Sequence, residues 1–132
     1  MDFRRFVCAV LALCLILGCK ERKALQLAKV SGAVTLDGQP LAEGVIVFTK
    51  FGEIPKELPI LKGRYEGKVY VGSNHLQFAV YRKQKQKAAS GPGADQGSLE
   101  NILPSRYNQE SMESREVTEK GPNEFDFAVQ SK

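Results

Sequence analysis

The residues able to do chemistry in this chain are few and scattered. There is one histidine, His75, and there are three cysteines, Cys8, Cys14 and Cys19. A catalytic or metal-binding histidine needs two or three partners at defined spacing, and no such pattern accompanies His75. It stands at a turn-to-strand junction on the outward phase and reads as a surface residue. Glu110, Glu113, Glu116 and Glu119 recur every third position. A Ca²⁺ loop would call for Asp-x-Asp spacing, which is missing, so a solvated face is the better reading. The run Arg82-Lys83-Gln84-Lys85-Gln86-Lys87 carries four positive charges in six residues. It could touch anionic lipid headgroups at about 1 kcal/mol per charge. The plainer role is a charged margin that protects an edge strand from aggregation. In Leu103 to Tyr107, Pro104 stiffens the backbone, Arg106 adds charge and Tyr107 offers an aromatic face with a polar end. These three are candidates for partner contact, against the simpler possibility that Tyr107 packs over the end of the fold. No nucleophile elbow and no phosphate loop is present. The expectation is a non-catalytic protein with no cofactor and no metal.

Cys19 has a context of its own. Arg4 and Arg5 precede an apolar stretch from Phe6 to Leu17, closed by Ile16-Leu17-Gly18-Cys19. This is the layout of a secretory signal. Twelve helical residues span about 18 Å, short of the roughly 30 Å hydrocarbon core, so a simple transmembrane anchor fits poorly. The four closing residues resemble the bacterial lipoprotein signal, which ends in Leu, a small residue, Gly or Ala, then Cys. The resemblance implies cleavage between Gly18 and Cys19, with diacylglycerol on the Cys19 sulfur and a further acyl chain, such as palmitate, on its amine. Each buried methylene contributes about 0.8 kcal/mol, so three chains hold a protein on the bilayer effectively permanently. Lys20 follows, where Asp is the familiar signal for inner-membrane retention. Lipid anchoring at the periplasmic face of the outer membrane is therefore favoured over the inner membrane. Cys8 and Cys14 would leave with the leader, and the mature chain would have neither disulfide nor free thiol.

What remains of 132 residues after processing is enough for one domain. Hydrophobic residues at 42% and charged residues at 26% are ordinary globular usage. Loss of Arg4, Arg5 and Asp2 with the leader takes the net charge from +4 to about +3. Lys and Glu are interleaved and Trp is absent, so the electrostatic footprint of a nucleic-acid binder is missing. Residues 19–28, with Lys20-Glu21-Arg22-Lys23 at their head, read as a lipidated tether, and residues 29–132 as the folded domain.

Beyond the tether, short segments alternate with period two between turn residues, the signature of antiparallel β structure. Val30, Val34 and Leu36 share a face with Gly32. Asp37-Gly38 supplies a tight hairpin turn. Gly44 to Lys50 is apolar on both faces. Phe51 to Pro59 holds Gly52, Pro55 and Pro59 and reads as a loop. Arg64 to Val71 turns Tyr65, Val69 and Val71 one way. After a turn at Gly72-Ser73-Asn74, His75 to Tyr81 puts Leu76, Phe78 and Val80 inward. Residues 84–98 contain no Val, Ile, Leu or aromatic residue and read as a mobile loop. Ser114 to Thr118 is a further strand, Gly121-Pro122-Asn123 a turn, and Phe125, Phe127 and Val129 alternate in the last strand.

About seven short strands point to an all-β antiparallel sandwich. Val30 to Phe48, with Asp37-Gly38, Pro40 and Gly44 in order, resembles the opening of carboxypeptidase regulatory-like domains, also called transthyretin-like. Gly63-Arg64-Tyr65 and the Tyr70 to Tyr81 strand pair resemble that family's middle. Leu103-Pro104-Ser105-Arg106-Tyr107 and Asn123-Glu124-Phe125-Asp126-Phe127 resemble the ends of small bacterial lipoproteins that carry this domain. The chain departs from the family between Phe51 and Leu61, where a Pro-rich stretch replaces Thr-Asp-x-x-Gly. The resemblance implies a transthyretin-like, immunoglobulin-like sandwich serving as a structural or protein-interaction module of the cell envelope, its partner an unknown envelope protein. The alternative is a small-ligand or glycan-binding lipoprotein in which Tyr65, Tyr70, Tyr81 and Tyr107 form a stacking platform.

Overall fold

The computed structural model describes residues 24–83 and 99–132. Ten strands make up the all-β fold: β1 (Leu27–Leu36), β2 (Gln39–Pro40), β3 (Glu43–Thr49), β4 (Lys56–Leu61), β5 (Arg64–Tyr70), β6 (Gly72–Ala79), β7 (Tyr81–Lys83), β8 (Leu99–Asn101), β9 (Ser114–Val117) and β10 (Phe127–Val129). Eight of them form one curled sheet in the order β10-β1-β5-β4-β3-β6-β9, with β2 on β1, while β7 and β8 pair apart. The inward residues, among them Val30, Val34, Ile46, Phe48, Ile60, Tyr65, Val69, Leu76 and Phe78, converge on one core. The result is sandwich-like, and the alternation seen in the sequence sets its faces: the apolar phases expected inward in β1, β5 and β6 are buried, except that Leu36 and Val71, at strand ends, are half-buried.

Two tight turns fix the register at one end. Asp37 and Gly38 have φ of 51° and 82°, and Lys62 and Gly63 of 50° and 77°. Both pairs are the left-handed geometry that matches hairpin twist. The turns are stitched together, since Val34 N–H donates to the Gly63 carbonyl at 2.8 Å and Gly63 N–H to that of Leu41 at 2.7 Å.

Four expectations are corrected. The stretch read as a loop contains β4, which pairs with β3 from Phe48↔Lys56 to Glu43↔Leu61. Pro59 sits opposite Val45 in that ladder, and on the far side β4 meets β5 at one registered pair, Leu61↔Arg64. A strand whose second side is so little used tolerates a missing donor. Second, Gly72 to Asn74 belong to β6 and pair with Val117 to Arg115 of β9. The turn is instead a corner at Val71 and Gly72, where the chain leaves the side of β1 for the side of β3. Third, β10 runs parallel to β1, with Val34 opposite Phe127 and Leu36 opposite Val129. The connection after β9 is long enough to bring the chain back in the same direction, which no two-residue hairpin could do. Fourth, Leu27 and Ala28, assigned to the tether, are the first residues of β1 and pair with Tyr70 and Val69.

The corner is held from several sides. Val71 N–H donates to the Gln26 carbonyl at 2.9 Å, and the Val71 carbonyl accepts from Lys50 Nζ at 2.6 Å. Asn74 is fully buried and its Nδ2 donates to the carbonyls of Tyr70 and Gly72. Strand ends Leu27, Tyr70, Gly72 and Thr49 thus gather at one end of the sheet, with the Lys50 to Lys56 turn beside them.

Candidate functional site

The segment from Leu103 to Ser111 forms a bracket beside the outer face of β3 and β6. Pro104 precedes a single 3-10 turn, Ser105–Tyr107, and its fixed φ suits that position. The bracket is internally tied: the Pro104 carbonyl accepts from Tyr107 N–H at 3.0 Å, and Asn108 Nδ2 reaches the carbonyls of Leu103 and Pro104 at 3.2 Å each. It is also tied to β6. Gln77 Nε2 donates to the Asn108 carbonyl at 2.9 Å, and the buried Ser111 hydroxyl to that of Leu76 at 2.6 Å.

Between bracket and sheet lies an open cleft of about 660 Å³, whose polar lining includes Thr49, Gln77, Asn101, Asn108 and Gln109, with Tyr81 at its margin. The size falls within the range of small-molecule sites. Its neutral amides and hydroxyls offer hydrogen bonds to a polar ligand, and among the described residues Glu57 is the one carboxylate in the lining. Such a wall can bind and orient.

Pro104, Arg106 and Tyr107 flank this cleft, but Arg106 and Tyr107 are directed elsewhere. Tyr107 is half-buried against the core, and its hydroxyl accepts from Gln130 N–H at 3.2 Å. The Arg106 guanidinium stacks over the Tyr107 ring at 4.8 Å and donates to the Lys132 carbonyl. These two side chains therefore clasp the C-terminal residues.

The basic candidates separate. Arg82 and Lys83 lie exposed on β7, not in a loop, with Arg82 directly opposite Glu100. β7 follows the far end of β6, which itself spans about 24 Å from the corner at Gly72 to Ala79 at ~3.4 Å per residue. Lys85, Lys87, Gly18 and Cys19 lie outside the described residues, as does the segment 84–98.

The four tyrosines do not form a platform. Tyr65 and Tyr70 are buried, whereas Tyr81 is exposed and Tyr107 half-buried. Burial, with the Asp126 charge added, holds the Tyr65 hydroxyl well above the usual tyrosine range. That hydroxyl donates to the Phe125 carbonyl at 2.7 Å. Lys56 Nζ sits 5.1 Å from the centre of the Tyr70 ring. The glutamates are dispersed: Glu110 accepts from Ser105, Glu113 pairs with Arg115 at 2.8 Å, and Glu119 accepts from Gln26. His75 is half-buried in β6, opposite Thr49 on one side and Ser114 on the other.

Sequence reasoning missed two polar residues that organise this architecture. Asn74 clamps the corner, and Asn123 exchanges hydrogen bonds with Thr118 while donating to the Lys29 carbonyl at 3.2 Å. Both occur in Asn-containing turn signals, which mark a bend but not what the amide will hold. Among the described residues, no helix is long and apolar enough to cross a membrane. Compared with protein-family models, curated proteins and solved structures, the chain matches none.

Proposed function

We infer that this protein is a membrane-anchored lipoprotein of the cell envelope whose sandwich-like domain acts as a non-catalytic structural or protein-interaction module. The observation that carries the reading is Gly18-Cys19 closing an apolar stretch that follows Arg4 and Arg5. The start of β1 at Leu27 is compatible with it, because residues 20–26 then suffice as the link between lipid and fold. Metabolic labelling with a fatty acid tests it: the wild type takes up label and sediments with membranes, and Cys19→Ala does neither. Label retained by the variant overturns the anchor.

A small-ligand or glycan-binding lipoprotein is a second reading, favoured by the amide-lined cleft beside Tyr81. Glycan-array binding that is lost in Gln77→Ala supports it, and an array without signal removes it.

A further inference from the structure

The end of the sheet at which β1 begins displays apolar residues that the core does not use. Leu25 and Leu27 are 51% and 46% exposed, and across the corner Phe51 and Ile54 are 102% and 78% exposed. The two groups belong to one surface. Lys50 Nζ binds the Val71 carbonyl and Val71 N–H binds the Gln26 carbonyl, so only the corner residue lies between Phe51's neighbour and Leu25's. On the other flank Lys56 lies over Tyr70, the register partner of Leu27.

The exposure of Phe51 is built in. Glu53 N–H closes on the Lys50 carbonyl at 3.0 Å, and Gly52 has φ of 81°. This four-residue turn puts Phe51 at its outer corner, where the side chain cannot fold back onto the sheet. Pro55 then restrains the chain just after Ile54. A held tip with two large apolar side chains, close to the exposed Leu25 and Leu27, is the kind of apolar surface that contact with a membrane or a partner would cover.

We propose that this end faces the lipid bilayer, with Phe51 and Ile54 seated at the level of the headgroups and acyl boundary and Lys50 and Lys56 flanking them. The proposal rests on the lipid anchor at Cys19 inferred above. From Cys19 to Leu27 the chain can reach at most about 28 Å, so the end carrying Leu27 is the part of the domain held nearest the membrane. The occupant is argued from that proximity together with the chemistry of the tip. Aromatic and aliphatic side chains beside lysines are the composition of membrane-interface contacts, with cations toward the headgroups. Glu53 at the turn offsets one of the two lysine charges, so apolar contact is the main attraction. Arg82 and Lys83, at the opposite end, are left out of this contact.

The chain contains no tryptophan, so Phe51→Trp is a single fluorescent reporter at the tip and Tyr81→Trp one at the far end. Each variant is expressed with fatty-acid label and reconstituted as the full processed chain. The vesicles are phosphatidylcholine and phosphatidylglycerol with part of the phosphatidylcholine brominated. The expected result is a label on Cys19 in both variants, emission from Phe51→Trp that is blue-shifted and quenched by bromine, and emission from Tyr81→Trp that remains water-exposed and unquenched. A labelled, vesicle-bound Phe51→Trp chain with water-exposed emission overturns the proposal and leaves the anchor standing. A blue shift without bromine quenching means that protein covers the tip, and also overturns it. A chain with no label on Cys19 overturns anchor and proposal together.

Discussion

Gly32 lies directly beneath the carbonyl of Phe125, so close that a Cβ on Gly32 would stand 1.9 Å from that oxygen. The same oxygen accepts from the Tyr65 hydroxyl, and Phe125 N–H donates to the Ser31 carbonyl at 3.0 Å. The C-terminal segment is thus laid onto β1 at a point where only glycine leaves room, just ahead of the parallel pairing with β10.

Gly32→Ala must therefore push the Phe125 backbone off β1 or distort β1 itself. The expected loss is about 3 kcal/mol or more, at the upper end of overpacking costs because the obstacle is backbone and not a flexible side chain. Denaturant unfolding of Gly32→Ala beside Ser31→Ala, whose side chain is not involved in the clamp, checks it. Equal stabilities in the two variants would refute the close approach.

Phe78 and His75 measure the phase of β6. Phe78 is 1% exposed and meets Phe127 edge to face at 5.0 Å, whereas His75 is half-buried. Phe78→Ala is expected to cost roughly 3 to 5 kcal/mol, as large core truncations do, and His75→Ala under about 0.5 kcal/mol. Comparable losses at both positions would contradict this assignment of faces.

The alternation that placed Phe78 inward was legible because burial on one face of a strand imposes period two, and the first hairpin turn was legible because Asp37-Gly38 favours positive φ; Lys62 at φ 50° was not, because lysine seldom adopts that region. Alternation carries no direction, so the parallel docking of Phe127 to Val129 on β1 could not be read from it. Pro59 was read as a breaker because a proline costs a donor only where a neighbour asks for one, and the sequence does not say which side of a strand is used. Tyr70 follows the inward Val69, and adjacent residues on a strand normally face opposite ways, so its burial beside Val69 was not legible from alternation; the fold buries both. The exposure of Phe51 depends on the turn at Gly52, within a segment whose prolines hid the flanking strand. The candidate site depends on the bracket from Leu103 to Ser111. Pro104 announced it, but the direction of Tyr107 is set by a contact with Gln130.

Asp37 couples the first hairpin to the end of the chain, and the coupling titrates. The Ser131 hydroxyl donates to Asp37 Oδ2 at 2.7 Å and Ser131 N–H to Oδ1 at 3.0 Å. Together they hold the carboxyl below its ordinary value, the hydroxyl contributing most. A depressed carboxylate adds stability that is present above its unfolded pKa, about 3.9. That stability is lost as pH falls through the lower folded value. Ser131→Ala is expected to raise the Asp37 pKa part of the way back, because the backbone donor remains. NMR titration of the Asp37 side-chain carbon measures this, and an unchanged pKa would show that the hydroxyl contact does not form in solution.

The stem formed by β7 and β8 permits a last test. Lys83 is paired with Leu99, so the chain leaves and re-enters the described fold at adjacent positions. The stem has its own fastening at the base: Asn101 Oδ1 accepts from the N–H groups of Val80 and Leu103 at 3.1 and 3.2 Å, and Ile102 N–H donates to the Val80 carbonyl at 2.9 Å. Residues 84–98 supply no large apolar side chain that could add to burial. Replacing 84–98 with a five-residue Gly-Ser linker shortens the closed loop about threefold, which alters closure entropy by about 1 kcal/mol or less. Stability is therefore expected to stay within that margin of the wild type. Asn101→Ala removes an acceptor from two backbone donors at once and is expected to cost about 1 to 3 kcal/mol. Thermal unfolding of the two variants ranks them, and a larger loss in the linker variant than in Asn101→Ala would show that 84–98 contributes to the fold beyond closing its stem.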